Sequence, residues 1–229
     1  MKVLLHLVLL APLIYLLQLF REGALALEAD PVNHITHFTG DWALWILLAS
    51  LAITPVRRLT PRFSFLIRFR RLIGLYAFLY ATLHLATYVF LFSGFDLPAV
   101  LNGIGAGRFI VLAEQWRAVW PTVLGDVEKR RFIQVGFAAW LILLTLAMTS
   151  PTFTLRVMGG RNWQRLHRLV YVAAAAACIH YWWLVKTGVL KPWRDTAVLA
   201  VLLASRLVYR GIKRSSKKAA GSIPPVTSV

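Results

Sequence analysis

One cysteine, Cys178, stands in a chain of 229 residues. A lone thiol excludes an internal disulfide framework, a CxxC zinc site, a cysteine-held iron–sulfur cluster and covalent haem attachment through CxxCH. Acidic residues are scarce too: 9 Asp and Glu stand against 26 Lys and Arg, for a net charge of +17. Charge of either sign makes up only 15% of the chain, where a soluble domain carries about 25%. No Gly-rich dinucleotide fingerprint is present and no polar stretch is long enough for a cofactor-binding soluble domain, so any electron or hydride donor has to be another molecule. What remains is apolar: 59% of residues, with a mean hydropathy of +0.65, against about 45–50% apolar in soluble domains. A pI near 11.1 would suggest nucleic acid in a soluble chain. Here the basic residues punctuate long apolar runs, so membrane topology explains the charge and nucleic acid is excluded as a partner.

A membrane-crossing helix needs roughly 17–25 mostly apolar residues. Six segments approach this: Val3–Phe20, Asp41–Val56, Leu72–Phe92, Phe132–Thr149, Leu169–Val185 and Thr196–Tyr209. The fold expected is all-α, a polytopic six-helix transmembrane bundle over residues 1–210, followed by a basic, disordered tail over 211–229 that contacts anionic lipid. The first segment, with Lys2 before it and Ala24-Leu25-Ala26 after it, has the outline of a signal peptide, but its apolar run exceeds the usual ~7–15 residues and it reads as a retained helix. Arg206 sits near the end of the last segment, where it can snorkel to the interface. The stretch Phe109–Leu124 is interrupted by Glu114, Arg117 and Pro121; its Phe109, Leu112, Trp116 and Trp120 share one helical face, which suits a helix lying in the membrane interface. Six crossings place 17 of the 26 basic residues on the side that holds both termini, and the positive-inside rule makes that side cytoplasmic.

Ionisable residues inside a bilayer are costly, so the histidines carry the argument. His6 lies near the cytoplasmic interface, and His34 and His37 fall in the outer loop before the second helix; solvation, capping or headgroup contact accounts for all three. His84 lies 13 residues beyond Arg71, or ~19.5 Å along a helix, and His180 lies 12 beyond Arg168, or ~18 Å. Two neutral imidazoles at one depth of a bundle can supply both axial ligands to a non-covalent, b-type haem held between helices. His167 sits ~19.5 Å shallower than His180 and about 220° around the helix, at the cytoplasmic rim. No histidine on the third helix matches that level; Arg70 and Arg71 stand there instead, with Arg168 beside His167. A haem with one protein histidine, a flavin or a quinone are the open options, and guanidinium groups suit haem propionates or a flavin phosphate. Tyr181, Trp182 and Trp183 read first as an outer aromatic belt, Cys178 as a packing residue, and Gly74 as a weak close-approach signal. No internal repeat is evident in the sequence.

Several strings are characteristic together: Arg70-Arg71-Leu72-Ile73-Gly74-Leu75-Tyr76-Ala77-Phe78 with Leu83-His84, and Asn162-Trp163-Gln164-Arg165-Leu166-His167-Arg168-Leu169-Val170-Tyr171 with His180-Tyr181. Phe38-Thr39-Gly40, Leu51-Ala52-Ile53-Thr54-Pro55 and Leu146-Ala147-Met148-Thr149-Ser150 belong with them. Over about residues 30–190 the chain resembles the haem-binding membrane subunits of the bacterial periplasmic protein-methionine-sulfoxide reductase system, the MsrQ/YedZ family, within the group sharing a ferric-reductase-like transmembrane domain. The resemblance implies a six-helix inner-membrane protein carrying b haem, with FMN also associated. It implies electrons drawn from the quinone pool or a cytosolic flavin reductase and passed to a periplasmic molybdopterin-containing partner that repairs oxidised methionine. Carried over by position, the haem histidines are His84, His167 and His180.

The chain departs from the family pattern at Arg130-Arg131-Phe132-Ile133, where a Lys-Arg-Pro-Tyr-Ile-like stretch is usual, and in a longer outer loop, about Gly94–Lys129. Both changes sit on the face expected to meet the partner. Two other functions fit the residues. A stand-alone ferric or quinone reductase would share the helical core; a small transporter or scaffold would use the histidines for packing or proton relay and would hold no haem.

Overall fold

The computed structural model describes residues 1–185 and 190–221. Among these every regular element is helical: α1 (Lys2–Arg21), α2 (Pro31–Leu59), α3 (Arg70–Thr87, prolonged by a π-helical turn over Tyr88–Phe92), α4 (Leu97–Gly105), α5 (Ile110–Lys129), α6 (Arg131–Met148), α7 (Thr152–Met158), α8 (Gly160–Leu166), α9 (Val170–Leu184) and α10 (Lys191–Gly221). Among the described residues four stretches are long and apolar enough to cross a membrane: Lys2–Arg21, Pro31–Leu59, Arg70–Phe92 and Arg131–Met148. The fifth and sixth apolar segments fall in α9, which has 15 residues, and in α10, which has 31. The tail expected to be unstructured begins inside α10, which continues to Gly221; the rest of that tail, residues 222–229, lies outside the described residues.

The largest difference from the sequence reading is the start of α2, ten residues before Asp41. Asp30 caps it, its carboxylate accepting the backbone N–H of Asn33 at 2.9 Å, and Pro31 occupies the first turn, where its missing N–H costs nothing. The added turns are polar, so hydropathy does not reveal them. Thr36 and Thr39 settle their hydroxyls on the carbonyls of Val32 and Ile35, one turn back. His34 and His37 consequently stand in helix rather than loop. His34 stacks near Phe38 and faces Glu28 at 3.5 Å.

α2 is the central helix of the bundle. Leu44, Leu47, Leu48 and Leu51 are buried against Ile73, Ala77 and Tyr80 of α3 and against Ala173, Ala174 and Cys178 of α9. Ala173 and Ala174 are fully buried, and their small size is what lets helices approach closely where lipid offers no hydrophobic driving force. α1 is the outermost helix, burying only Leu9 and Pro12. It is tied to α3 by Tyr80, whose hydroxyl donates to the Leu9 carbonyl at 2.8 Å, and by His6, whose Nδ1 lies 2.7 Å from the Tyr76 hydroxyl.

At the other end of the core, Pro55 has no N–H to give the Leu51 carbonyl, its partner four residues back. Arg206 of α10 supplies the missing donor: its guanidinium bonds the Leu51 carbonyl and the Tyr171 hydroxyl of α9. At 7% exposure Arg206 is inside the bundle, and this corrects the expectation that it snorkels to the interface. The segment between α3 and α6 forms a helical hairpin, α4 and α5, with a small core of Phe95, Val100 and Val119. Its Phe109, Leu112, Trp116 and Trp120 are exposed.

Candidate functional site

His84 on α3 and His180 on α9 face each other across the bundle, with ring centroids 6.0 Å apart and planes at 81°. Each ring is held in the same way from behind. Nδ1 of His84 lies 2.9 Å from the Thr36 carbonyl of α2, and Nδ1 of His180 lies 2.7 Å from the Phe132 carbonyl of α6. A carbonyl can only accept, so both Nδ1 atoms carry the proton and both Nε2 atoms keep a free lone pair. No hydrogen bond engages either Nε2 among the described residues. The rings reach these carbonyls by passing over glycines. A Cβ on Gly40 would lie 3.0 Å from His84 Nδ1, and one on Gly136 would lie 2.6 Å from His180 Nδ1.

The two halves repeat each other. Both histidines lie 48 residues beyond the carbonyl they bind, and the second unit reproduces Thr36, Gly40, Pro55 and His84 at Phe132, Gly136, Pro151 and His180. Sequence similarity does not reveal this because little beyond Gly, Pro and His is shared. Second-layer contacts hold the site. Thr87 donates its hydroxyl to the His84 carbonyl and receives that of Thr36, and Trp140 of α6 donates to Thr82 of α3 at 3.1 Å. Phe132 stands 5.9 Å from His180, centroid to centroid.

His167 belongs to a separate cluster, in a 3-10 turn (His167–Leu169) between α8 and α9. No hydrogen bond or ring contact joins it to His84 or His180. Trp163 stacks on its ring at 3.8 Å and donates its indole N–H to the Thr149 carbonyl, while Thr149 Oγ1 lies 3.3 Å from His167 Nε2. Burial holds His167 below the ordinary histidine pKa, with the charges of Arg70 and Arg71 adding to that and a hydrogen bond at Thr149 opposing it. The ring is therefore neutral at pH 7. Arg70 is half-buried, while Arg71 and Arg168 are exposed; of the three, Arg70 and Arg71 act electrostatically on His167.

Two imidazoles whose Nε2 atoms share one metal ion have centroids about 6 Å apart, given about 2 Å per nitrogen–metal bond and about 1 Å from nitrogen to ring centre. The pair at 6.0 Å, with tautomers already set, fits that donor requirement. A porphyrin brings four donors of its own, so two histidines are all that the protein would have to add.

The profile of the family described as ferric reductase like transmembrane component matches residues 39–178. The chain belongs to this family. Within it, the protein-methionine-sulfoxide reductase heme-binding subunit MsrQ of Xanthomonas axonopodis pv. citri is 42% identical over 98% of this chain and 93% of its own. The MsrQ of Xanthomonas campestris pv. campestris strain 8004 is 40% identical over 99% and 94%, and that of Herminiimonas arsenicoxydans 38% over 93% and 91%. This is therefore a member of the MsrQ group of ferric-reductase-like membrane proteins. No solved structure matches the chain.

Several residues that shape the site of this family member carry no signal of their own in the sequence. Gly40 stands in one of the recognised strings without a role, and Gly136, Thr36 and Phe132 in none. A glycine in each of two apolar helices, at the same distance before an intramembrane histidine, is the only clue. Gly74, the glycine that did attract notice, has open space around it. The outer aromatics divide: Trp182 is tied to Thr196 of α10 at 2.9 Å and packs edge-on against Trp193, whereas Trp183 is exposed. Near them Lys191 of α10 pairs with Asp41 of α2 at 3.2 Å.

Proposed function

We propose that this protein is the b-haem electron-transfer subunit of a protein-methionine-sulfoxide reductase system, in which His84 and His180 would hold one haem. The observation that carries the reading is the facing pair of imidazoles at 6.0 Å, each with Nδ1 bound to a helix carbonyl and Nε2 free. The names borne by its relatives support it, as does the family profile over residues 39–178.

A haem bound there would supply one-electron chemistry at a potential set by its axial ligands and burial. The chain's own work is to hold and orient. The Thr36 and Phe132 carbonyls fix each imidazole in one tautomer, and accepting Nδ1–H raises the basicity of Nε2. The apolar walls of α2, α3, α6 and α9 exclude water. His167 with Arg70, Arg71 and Arg168 forms the inner docking site, for a second haem with one protein histidine, for FMN or for a quinone; a neutral imidazole beside guanidinium groups suits each of them.

The basic inner face supports a bacterial inner-membrane protein of six crossings with both termini cytoplasmic. Electrons enter on that side from the quinone pool or a cytosolic flavin reductase and leave to a periplasmic molybdopterin-containing partner that repairs methionine. The relatives named MsrQ, matched over nearly the whole chain, favour this over a stand-alone ferric or quinone reductase. Protein purified from haem-replete cells should show a Soret band and, on dithionite reduction, sharp b-type α and β bands. The reduced protein should then be reoxidised by the partner with oxidised methionine present. A colourless preparation refutes the reading.

A further inference from the structure

We propose that Gly40 and Gly136 are positioning residues of the His84/His180 site. They act by leaving bare the stretch of helix over which each imidazole passes to reach a backbone carbonyl. The inference rests on the haem reading above and extends it to residues that touch neither metal nor substrate.

Each glycine lies four residues after the carbonyl that its histidine binds: Gly40 after Thr36, Gly136 after Phe132. In an α-helix such a carbonyl already accepts the glycine's own N–H. The histidine therefore adds a further bond to an oxygen one helical turn before the glycine; at Thr36 that oxygen also accepts the Thr39 hydroxyl. Any side chain there occupies the path of the ring. On Gly40 a Cβ would stand 3.0 Å from His84 Nδ1 and 3.1 Å from Cε1; on Gly136 it would stand 2.6 Å from His180 Nδ1 and 2.8 Å from Cε1. Non-bonded carbons rest at about 3.5–4.0 Å, so alanine at either position pushes the ring off its carbonyl, and the second site is the tighter.

Glycine carries a cost of about 1 kcal/mol relative to alanine in a helix interior, so its presence at both equivalent points of the two units calls for a reason beyond helix formation. Elsewhere in the helices Gly74, Gly105 and Gly125 would meet nothing within 4 Å, and Gly103 would meet only an aliphatic side chain, Val111, at 2.8 Å.

Two things follow when the ring is displaced. The Nδ1–H bond that sets tautomer and basicity is lost, and the ring plane turns about the axis towards its partner. Loss of such an outer partner typically weakens metal binding by about 10- to 100-fold. The test compares Gly40→Ala, Gly136→Ala and, as a control, Gly125→Ala in the full-length protein in detergent. The readouts are haem per chain, the low-spin EPR g-values of the ferric form, the midpoint potential, and the size-exclusion profile and thermal unfolding of haem-free protein.

Gly136→Ala should reduce haem retention by about 10- to 100-fold, while haem-free protein stays monodisperse and unfolds no earlier than the wild type. Gly40→Ala, with the milder clash, should keep its haem but show shifted g-values and a shifted potential. Gly125→Ala should match the wild type throughout. Should Gly136→Ala fail to fold, Gly40→Ala carries the test alone. Wild-type haem content, g-values and potential in both site variants would overturn the proposal while leaving the haem reading intact. A wild type without haem would instead overturn the reading.

Discussion

Arg206 and Pro55 should be energetically coupled although they stand on different helices. Pro55 offers the Leu51 carbonyl no N–H, and the Arg206 guanidinium takes that place while also binding the Tyr171 hydroxyl and lying 4.7 Å from the Tyr171 ring centre. Arg206→Met keeps the apolar stem and removes the donor. The Leu51 carbonyl, on a residue with no exposed surface, is then left without a partner, and an unsatisfied buried acceptor costs about 1–3 kcal/mol. Tyr171 loses its donor in the same step, so the single variant should be destabilised by about 2–6 kcal/mol. Pro55→Ala restores an N–H four residues after Leu51. In the Arg206→Met background it should recover about 1–3 kcal/mol that it does not provide when Arg206 is present. The assay is unfolding of wild type, both single variants and the double variant in one detergent, read by circular dichroism. Additivity within about 0.5 kcal/mol would refute the reasoning, because it would mean that Arg206 does not replace the missing N–H.

Other outcomes are expected. His167→Ala should perturb the haem spectrum without abolishing it, since no contact joins His167 to the pair; optical spectra of the purified variant check this. Trp163→Leu removes both the ring stacked on His167 and the donor to the Thr149 carbonyl, and the carbonyl left without that donor should cost about 1–3 kcal/mol of stability in thermal unfolding. Lys191→Met breaks a pair with Asp41 whose lysine is more than half exposed and should shift stability by under about 1 kcal/mol in the same unfolding assay. A reporter enzyme active only in the periplasm should be silent when fused after Gly221; activity there would reverse the proposed orientation.

Much of this arrangement is readable from the chain because bilayer physics leaves few options. Long apolar runs must be helices, and intramembrane histidines are rare enough to be noticed. Counting residues inward from Arg71 and Arg168 brought His84 and His180 to one level, and the structure has them facing. Three features stayed hidden for identifiable reasons. The first turns of α2 are held by Asp30, Thr36 and Thr39, polar groups that hydropathy scores against a helix in lipid. Arg206 reads as an interfacial charge because nothing local says that Pro55, on another helix, leaves a carbonyl for it. The glycine positions depend on a contact between α2 and α3, and another between α6 and α9, that sequence distance alone does not supply.

If His84 and His180 share one haem, the low-spin ferric EPR signal must depend on both of them, and the three histidine variants decide this. His84→Ala and His180→Ala should each largely remove the signal, while His167→Ala should leave it in place with altered g-values. Equal loss in all three variants, or survival of the signal in both His84→Ala and His180→Ala, would contradict the pairing.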